Sequence, residues 1–265
     1  MQDLRVTMIQ SNIFWEEPKK NLDHFGHLIN RIEEPTDLIL LPETFNTGFS
    51  MNPDLCSEDI HGISMQFLHR MAVEKNVAIM ATLLISEESN YFNRLVCMHP
   101  DGHFETYNKR HLFRLSEEFR ILKRGNFHPV FNVKGWKISP LICYDLRFPV
   151  WSKNTFTDGV YGYDLLVTLA NWPASRAQIW KTLLMARALE NQACVVGINR
   201  IGRDGQDTWH SGDTMAIDAE GNVLYIAGES QVVRTVSFSA MELKLYRESF
   251  TVGLDWDQFS INIKK

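Results

Sequence analysis

The sequence has few cysteines, and none of them forms a paired motif. Only four occur in 265 residues, and they are far apart, at Cys56, Cys97, Cys143 and Cys194. A secreted protein held together by disulfides would need more cysteines at closer, regular spacing. We therefore expect reduced thiols and a cytoplasmic location.

An excess of positive charge and a long apolar run are also absent. The chain has 27 Lys and Arg against 32 Asp and Glu, a formal net charge of −5. Nucleic-acid binding normally needs a basic surface. No run approaches the roughly 20 apolar residues of a membrane helix, and the first residues lack the basic and apolar regions of a signal peptide. We expect neither a nucleic-acid partner nor a membrane.

The motifs of several enzyme classes are missing as well. There is no P-loop or GxGxxG for nucleotides, no HExxH or Cys/His cluster for zinc, and no GxSxG nucleophile elbow. Two histidines, His24 and His27, lie three residues apart, but no third ligand accompanies them. The sequence thus gives no reason to expect a metal or an organic cofactor.

The patterns that are present predict one α/β domain over residues 1–265. Hydrophobic residues make up 45% and charged residues 22%, and no repeat or linker divides the chain. Strands alternate with helices, and hairpins interrupt them, which favours layered α/β with mixed sheets. The predicted helices are 18–34, 62–76 and 174–192, the strands 4–10, 37–43, 77–86, 135–143, 164–172, 193–201 and 231–239, and the hairpins 93–109 and 212–228.

Three predicted strands end in a reactive side chain. "LILLPE" ends at Glu43, "FETYNK" at Lys109 and "PLIC" at Cys143. Strand ends deliver residues to clefts, so the three could meet despite their separation in sequence. A cysteine attacks well only as the thiolate. Glu43 could accept its proton, and Lys109 could stabilise the thiolate and then an oxyanion.

The residues alone leave other interpretations open. Cysteines are usually packed in the core, and single Glu and Lys side chains usually lie on the surface. A Cys–His hydrolase with His111 or His210 as the base is a further alternative. It ranks lower because neither histidine has an evident orienting partner in the sequence.

The segments "LLPETF", "YNKRHLF" and "PLICYDLRFPVW" resemble, in this order, the three signature segments of the nitrilase superfamily, the carbon–nitrogen hydrolases. The similarity covers essentially the whole chain. The segments "LANWPASR", "ARALENQACVVGINRIG", "HSGDT" and "LYRESFTVGLDWDQF" further resemble the omega-amidase branch.

This resemblance implies a four-layer α-β-β-α sandwich and a homodimer or larger homo-oligomer. The aromatic residues of the tail at about 245–265 make it a candidate interface, although they could equally be core. It implies a small-molecule amide substrate: omega-amidases release ammonia from the terminal amide of 2-oxoglutaramate and 2-oxosuccinamate. No metal and no cofactor are implied.

By motif, the resemblance makes Glu43 the general base, Lys109 the oxyanion stabiliser and Cys143 the nucleophile. The superfamily also has a second glutamate after the lysine. Glu117 and Glu118 are both candidates here, and the spacing to the family's glycine, Gly125, favours Glu118.

Four further residues are candidates for substrate binding. The backbone N–H of Tyr144 could join Lys109 in holding an oxyanion. Arg147 could bind a substrate carboxylate with two parallel hydrogen bonds, or it could instead pair structurally with Asp145 or another acid. Phe113 and Trp172 could form pocket walls, although aromatic residues at such positions are often core.

Two rival functions remain at this point. Another branch of the superfamily, a carbamoylase, an aliphatic amidase or a nitrilase, would have the same three catalytic residues and a different pocket. A catalytically idle scaffold with the same fold is the other. Three intact reactive residues argue against it.

Overall fold

The computed structural model describes residues 1–262, which form two six-stranded sheets and their covering helices. The strands are β1 Leu4–Gln10, β2 Leu38–Leu40, β3 Ala78–Glu87, β4 Asn90–Met98, β5 Phe104–Asn108, β6 Phe131–Val133, β7 Trp136–Ile142, β8 Phe156–Thr157, β9 Val160–Tyr161, β10 Leu165–Leu169, β11 Cys194–Ile198, β12 Ile201–Arg203, β13 Trp209–Ser211, β14 Met215–Ile217, β15 Val223–Ile226 and β16 Val232–Phe238. The α-helices are α1 Pro18–Asn30, α2 Pro53–Cys56, α3 Ile63–Lys75, α4 Glu118–Ile121, α5 Pro149–Ser152, α6 Ala177–Asn191 and α7 Ala240–Ser249. Short 3-10 helices span Cys143–Arg147, Ala174–Arg176 and Val252–Asp255.

Both sheets are mixed and share one plan. The first has the order β16-β1-β2-β3-β4-β5, and the second β15-β14-β11-β10-β7-β6. Three neighbouring strands are parallel in each, β1, β2 and β3 in one and β7, β10 and β11 in the other, and the flanking strands pair antiparallel. Largely apolar, fully buried runs such as Leu165–Leu169 suit parallel strands because both of their faces are covered.

The layers follow from where the apolar side chains pack. One core cluster lies between the sheets and joins residues such as Met8 with Trp136. A second cluster packs Phe25 of α1 and Phe67 of α3 against the outer face of the first sheet. Trp180 of α6 covers the second sheet. The order helix, sheet, sheet, helix confirms the predicted α-β-β-α sandwich with mixed sheets.

Some local predictions were wrong. The first helix ends at Asn30, four residues before the predicted end, at the polar stretch that precedes Asp37. The short helix α2, which ends at Cys56 (3% exposed), was not predicted. The helix α7 was not predicted at all, since only Ala240 and Leu243 of its side chains are buried. Within residues 1–262, every helix is too short or too polar to cross a bilayer.

The topology brings several strand ends to one edge. Glu43 lies three residues beyond β2, Lys109 directly follows β5, and Cys143 directly follows β7. Asn171 lies two residues beyond β10. Since β2 and β5 belong to the first sheet and β7 and β10 to the second, these ends meet across the seam between the two sheets.

Candidate active site

The nucleophile candidate lies on a sharp turn. β7 ends at Ile142, and Cys143, the first residue of the 3-10 helix Cys143–Arg147, has a φ of 44°. Left-handed backbone is uncommon for a residue other than glycine, and it clusters at functional sites. This turn places Sγ at the end of the strand rather than within the core. The polar residues that directly follow the buried strand β7 form this turn.

The carboxylate of Asp145 fixes this turn. Asp145 is fully buried, and its Oδ2 accepts hydrogen bonds from Ile142 N at 3.1 Å and Tyr107 Oη at 2.8 Å. Its Oδ1 accepts a hydrogen bond from the backbone N of His111 and also lies 2.8 Å from Nδ1 of the same histidine. Asp145 therefore connects Ile142, the residue before Cys143, to Tyr107 and His111, which lie two positions before and after Lys109.

Lys109 lies between two carboxylates. Its Nζ is 2.8 Å from Glu43 Oε1 and 2.9 Å from Glu118 Oε1, and all three side chains are fully buried. Glu118 also accepts from Phe113 N at 2.6 Å. Glu117 is 56% exposed and pairs with Arg120, so the structure brings Glu118 and not Glu117 to the lysine.

Two asparagines that sequence reasoning missed orient Glu43. Asn93 Nδ2 donates to Glu43 Oε1 at 2.8 Å and to Glu118 Oε1 at 3.3 Å. Asn171 N donates to Glu43 Oε2 at 2.8 Å, and the Asn171 backbone oxygen lies 3.9 Å from Cys143 Sγ. Both oxygens of Glu43 are thereby fixed, next to the sulfur and the ammonium.

The pKa values reflect this crowding of charge. Burial, and then the negative charge of Glu43, raise the pKa of the Cys143 thiol well above its usual range, although Lys109 opposes the change. Burial alone would lower the pKa of Lys109, but Glu118 and Glu43 outweigh it and raise this pKa. Burial also raises the pKa of Glu118. The resting site thus holds an ammonium beside a neutral thiol that needs a base.

A cavity of about 300 Å³ opens over Cys143. Its lining includes Glu43 and Lys109 together with all four residues predicted to bind substrate, Phe113, Tyr144, Arg147 and Trp172. Within the described residues, the backbone N–H of Tyr144 has no acceptor. A larger cleft, about 760 Å³ between α7 and the first residues, contains none of the candidates.

Arg147 does not form the structural ion pair considered as its alternative. The Asp145 carboxylate instead contacts His111, Tyr107 and the backbone of the turn. In residues 1–262, no carboxylate lies within 4 Å of the Arg147 guanidinium. The guanidinium instead lies over the ring of Trp172, at 5.0 Å from its centroid. Its charge therefore remains available to the cavity.

The two histidines of the Cys–His alternative differ. His111 does have an orienting carboxylate, Asp145, contrary to expectation, but it stacks on Phe148 at 3.7 Å and does not line the cavity. His210 lines the cavity, but burial, and then the charge of Arg200, lower its pKa to about 4. Such a weak base is poorly matched to neutral pH.

Chemically, the site combines a thiol, a fixed carboxylate, a buried ammonium and a backbone N–H that has no acceptor among the residues the structure describes. This set suits acyl transfer through a covalent intermediate. Among the described residues, no group of three or more His, Cys, Asp or Glu is arranged to hold a metal ion.

The family model for carbon-nitrogen hydrolases matches residues 5–249. The chain belongs to this family, within the nitrilase superfamily.

Particular relatives refine the comparison. The chain is 37% identical to "Omega-amidase YafV" of Escherichia coli K12, over 98% of this chain and all of the relative. It is 30% identical to "2-oxoglutaramate amidase" of Bacillus subtilis, over 93% of this chain and 95% of that one. The crystal structure of XC1258 from Xanthomonas campestris, a CN-hydrolase superfamily protein with an arsenic adduct in the active site, superposes with a TM-score of 0.97 at 38% identity, over 99% of this chain and 100% of that one.

Proposed function

We propose that this protein is an omega-amidase, which releases ammonia from the terminal amide of 2-oxo dicarboxylic acid monoamides such as 2-oxoglutaramate and 2-oxosuccinamate. The observation that carries the proposal is one cavity that is lined by Cys143, Lys109 and Glu43 and also by Arg147, whose guanidinium has no carboxylate partner among residues 1–262. The near full-length similarity to omega-amidases supports it.

The first half of the reaction begins at the sulfur. Glu43 accepts the thiol proton as Cys143 attacks the amide carbonyl, which explains how a thiol with a raised pKa reacts. Lys109 and the N–H of Tyr144 hold the oxyanion, and such preorganised donors are commonly worth roughly 3–4 kcal/mol each. Glu43 returns the proton to the nitrogen, ammonia leaves, and a thioester remains on Cys143.

The second half hydrolyses that thioester. Glu43 removes a proton from water, the water attacks the acyl carbon, and the sulfur leaves and regains a proton. The products are the dicarboxylic 2-oxo acid and free enzyme. Glu118 accepts a hydrogen bond from Lys109 as Glu43 does, so it acts as a positioning residue.

The decisive measurement is ammonia release from 2-oxoglutaramate by wild type and Cys143→Ala side by side. We expect release by the wild type alone. Activity in Cys143→Ala, or full activity in Glu43→Gln, would contradict the mechanism. Release by wild type from carbamoyl amino acids or nitriles, but not from 2-oxoglutaramate, would instead identify another branch of the superfamily.

We further propose a cytoplasmic, single-domain homodimer or larger homo-oligomer, in which the tail at 245–265 contributes to the interface. Three large side chains of the tail support this, since Leu245 is 55%, Phe250 56% and Leu254 70% exposed. Positions 263–265 lie outside the described residues. Light scattering should give at least twice the monomer mass, and a monomer would reject the proposal.

A further inference from the structure

A second guanidinium lines the cavity besides Arg147. Arg176 belongs to the 3-10 helix Ala174–Arg176, which follows β10 and leads into α6. Arg176 ends the segment "LANWPASR", but it is not among the residues predicted from the sequence to bind substrate. The cavity therefore has two arginines in addition to the buried Lys109.

Aromatic side chains hold both guanidiniums in place. Arg147 lies over Trp172 at 5.0 Å, and Arg176 lies over Phe113 at 5.3 Å. The indole Nε1 of Trp172 donates to the backbone oxygen of Arg176 at 2.9 Å, so one ring contacts both arginines. Stacked, planar guanidiniums lose less side-chain freedom when they bind a ligand than free ones would.

Both guanidiniums keep their hydrogen-bonding capacity for a ligand. In the part of the chain that the structure describes, neither side chain donates a hydrogen bond, and neither has a carboxylate within 4 Å. One substrate carboxylate balances one of these charges and can occupy one guanidinium edge with two bonds. The second guanidinium then requires another acceptor on the same substrate.

We propose that Arg176 determines specificity for 2-oxo acids by donating hydrogen bonds to the 2-oxo oxygen, while Arg147 binds the adjacent carboxylate. This inference rests on the proposed omega-amidase function and deepens it. In a 2-oxo acid, the oxo oxygen lies next to the carboxylate. The substrate therefore offers two neighbouring groups of hydrogen-bond acceptors, one for each guanidinium. A monoamide acid that lacks the oxo group accepts hydrogen bonds only from Arg147.

The test compares 2-oxoglutaramate with glutaramate, which differ only in the 2-oxo group, and uses pentanamide as the neutral control. Wild type, Arg176→Met, Arg176→Lys and Arg147→Met are assayed for kcat/KM on all three. We expect Arg176→Met to lower kcat/KM for 2-oxoglutaramate roughly 10- to 100-fold, the loss typical of a hydrogen bond from a charged donor, and to change glutaramate less than about threefold. Arg147→Met should lower kcat/KM for both acids and spare kcat/KM for pentanamide.

Two controls separate binding from folding. Alkylation of Cys143 by iodoacetamide should proceed at the wild-type rate in each variant if the catalytic residues are intact. In a Cys143→Ala background, calorimetry should show weaker binding of 2-oxoglutaramate, but not of glutaramate, after Arg176→Met. Arg176→Lys should recover only part of the loss, since lysine lacks the planar fork.

The outcomes are distinct. Equal losses on both acids would assign Arg176 to the carboxylate or to structure, and no loss would leave it without a role; each overturns the inference. If wild type cleaves glutaramate but not 2-oxoglutaramate, the 2-oxo assignment falls while the amidase chemistry stands. If it cleaves neither, the proposed function falls, and this inference falls with it.

Discussion

At the scale of single residues, the proposed mechanism depends on the interaction between Glu43 and Cys143. Burial disfavours a thiolate, and the charge of Glu43 adds to this effect, whereas the ammonium of Lys109 opposes it. The same carboxylate thus disfavours the thiolate at rest and, in the proposed mechanism, accepts the proton during attack. Removing its charge should separate these two roles.

We predict that Glu43→Gln lowers the pKa of the Cys143 thiol while it lowers turnover roughly 10²- to 10⁴-fold, the usual contribution of a general base. The thiol pKa falls because Lys109 then acts without the opposing charge. Thiolate absorbance near 240 nm, titrated with pH against Cys143→Ala blanks, measures the change. A midpoint that moves upward would contradict the assignment of charges.

The sequence was sufficient to identify some residues of the candidate site and not others. Glu43, Lys109 and Cys143 could be found because each ends an apolar strand within a recognisable segment. The contacts of Asn93 and Asn171 could not be predicted, although Asn171 lies within the segment "LANWPASR", since nothing local to a buried asparagine identifies its partner. Their contacts with Glu43 span 50 and 128 positions, so only the tertiary fold brings them together.

At the scale of elements, the loop after β5 positions Lys109 through Gly125. Gly125 N donates to Lys109 O at 2.9 Å. A Cβ at Gly125 would collide with the carbonyl oxygen of Asn108, the residue before the lysine. The glycine is therefore needed for close backbone approach rather than for an unusual φ.

We predict that Gly125→Ala destabilises the fold by about 1–3 kcal/mol, the usual cost of overpacking, and lowers kcat more than it raises KM. The reason is that the strand end carrying Lys109 must move. Urea denaturation and steady-state kinetics measure both effects. Gly228→Ala is the matched control, because a Cβ there meets no atom within 4 Å. Similar losses in the two variants would contradict the argument.

Strands were predictable from the sequence to a greater extent than the last helix. Long apolar runs identified β3, β7, β10 and β11, because their side chains are buried on both faces. The helix α7 lacks a broad buried stripe, so its periodicity is weak. The sequence nevertheless has a signal for the start of this helix, a serine at position 239 followed three residues later by Glu242. In the structure, Ser239 Oγ accepts a hydrogen bond from Glu242 N at 3.2 Å.

At the scale of the whole molecule, buried His210 couples stability to pH. Its pKa of about 4 in the folded state lies below the ordinary value of 6.5. Between these values the unfolded chain binds more protons than the folded one, so stability rises with pH and is lost as the pH falls.

We predict that this histidine alone costs the protein about 2 kcal/mol of unfolding free energy between pH 7 and pH 5. Urea denaturation at both pH values measures it, and His210→Gln should flatten the dependence by that amount. Both His24 and His128 also have lowered pKa values, so part of the slope should survive in the variant. An unchanged slope would show that His210 is protonated in the folded protein.

The seam between the sheets has one more consequence. Glu43 and Lys109 extend from the first sheet, whereas Cys143 and Asn171 extend from the second. A compact intermediate can retain its strands and helices after its specific packing has been lost. Turnover should then disappear while the far-ultraviolet circular dichroism still looks native, so the enzyme's own reaction becomes a reporter of whether the two halves of the sandwich are docked.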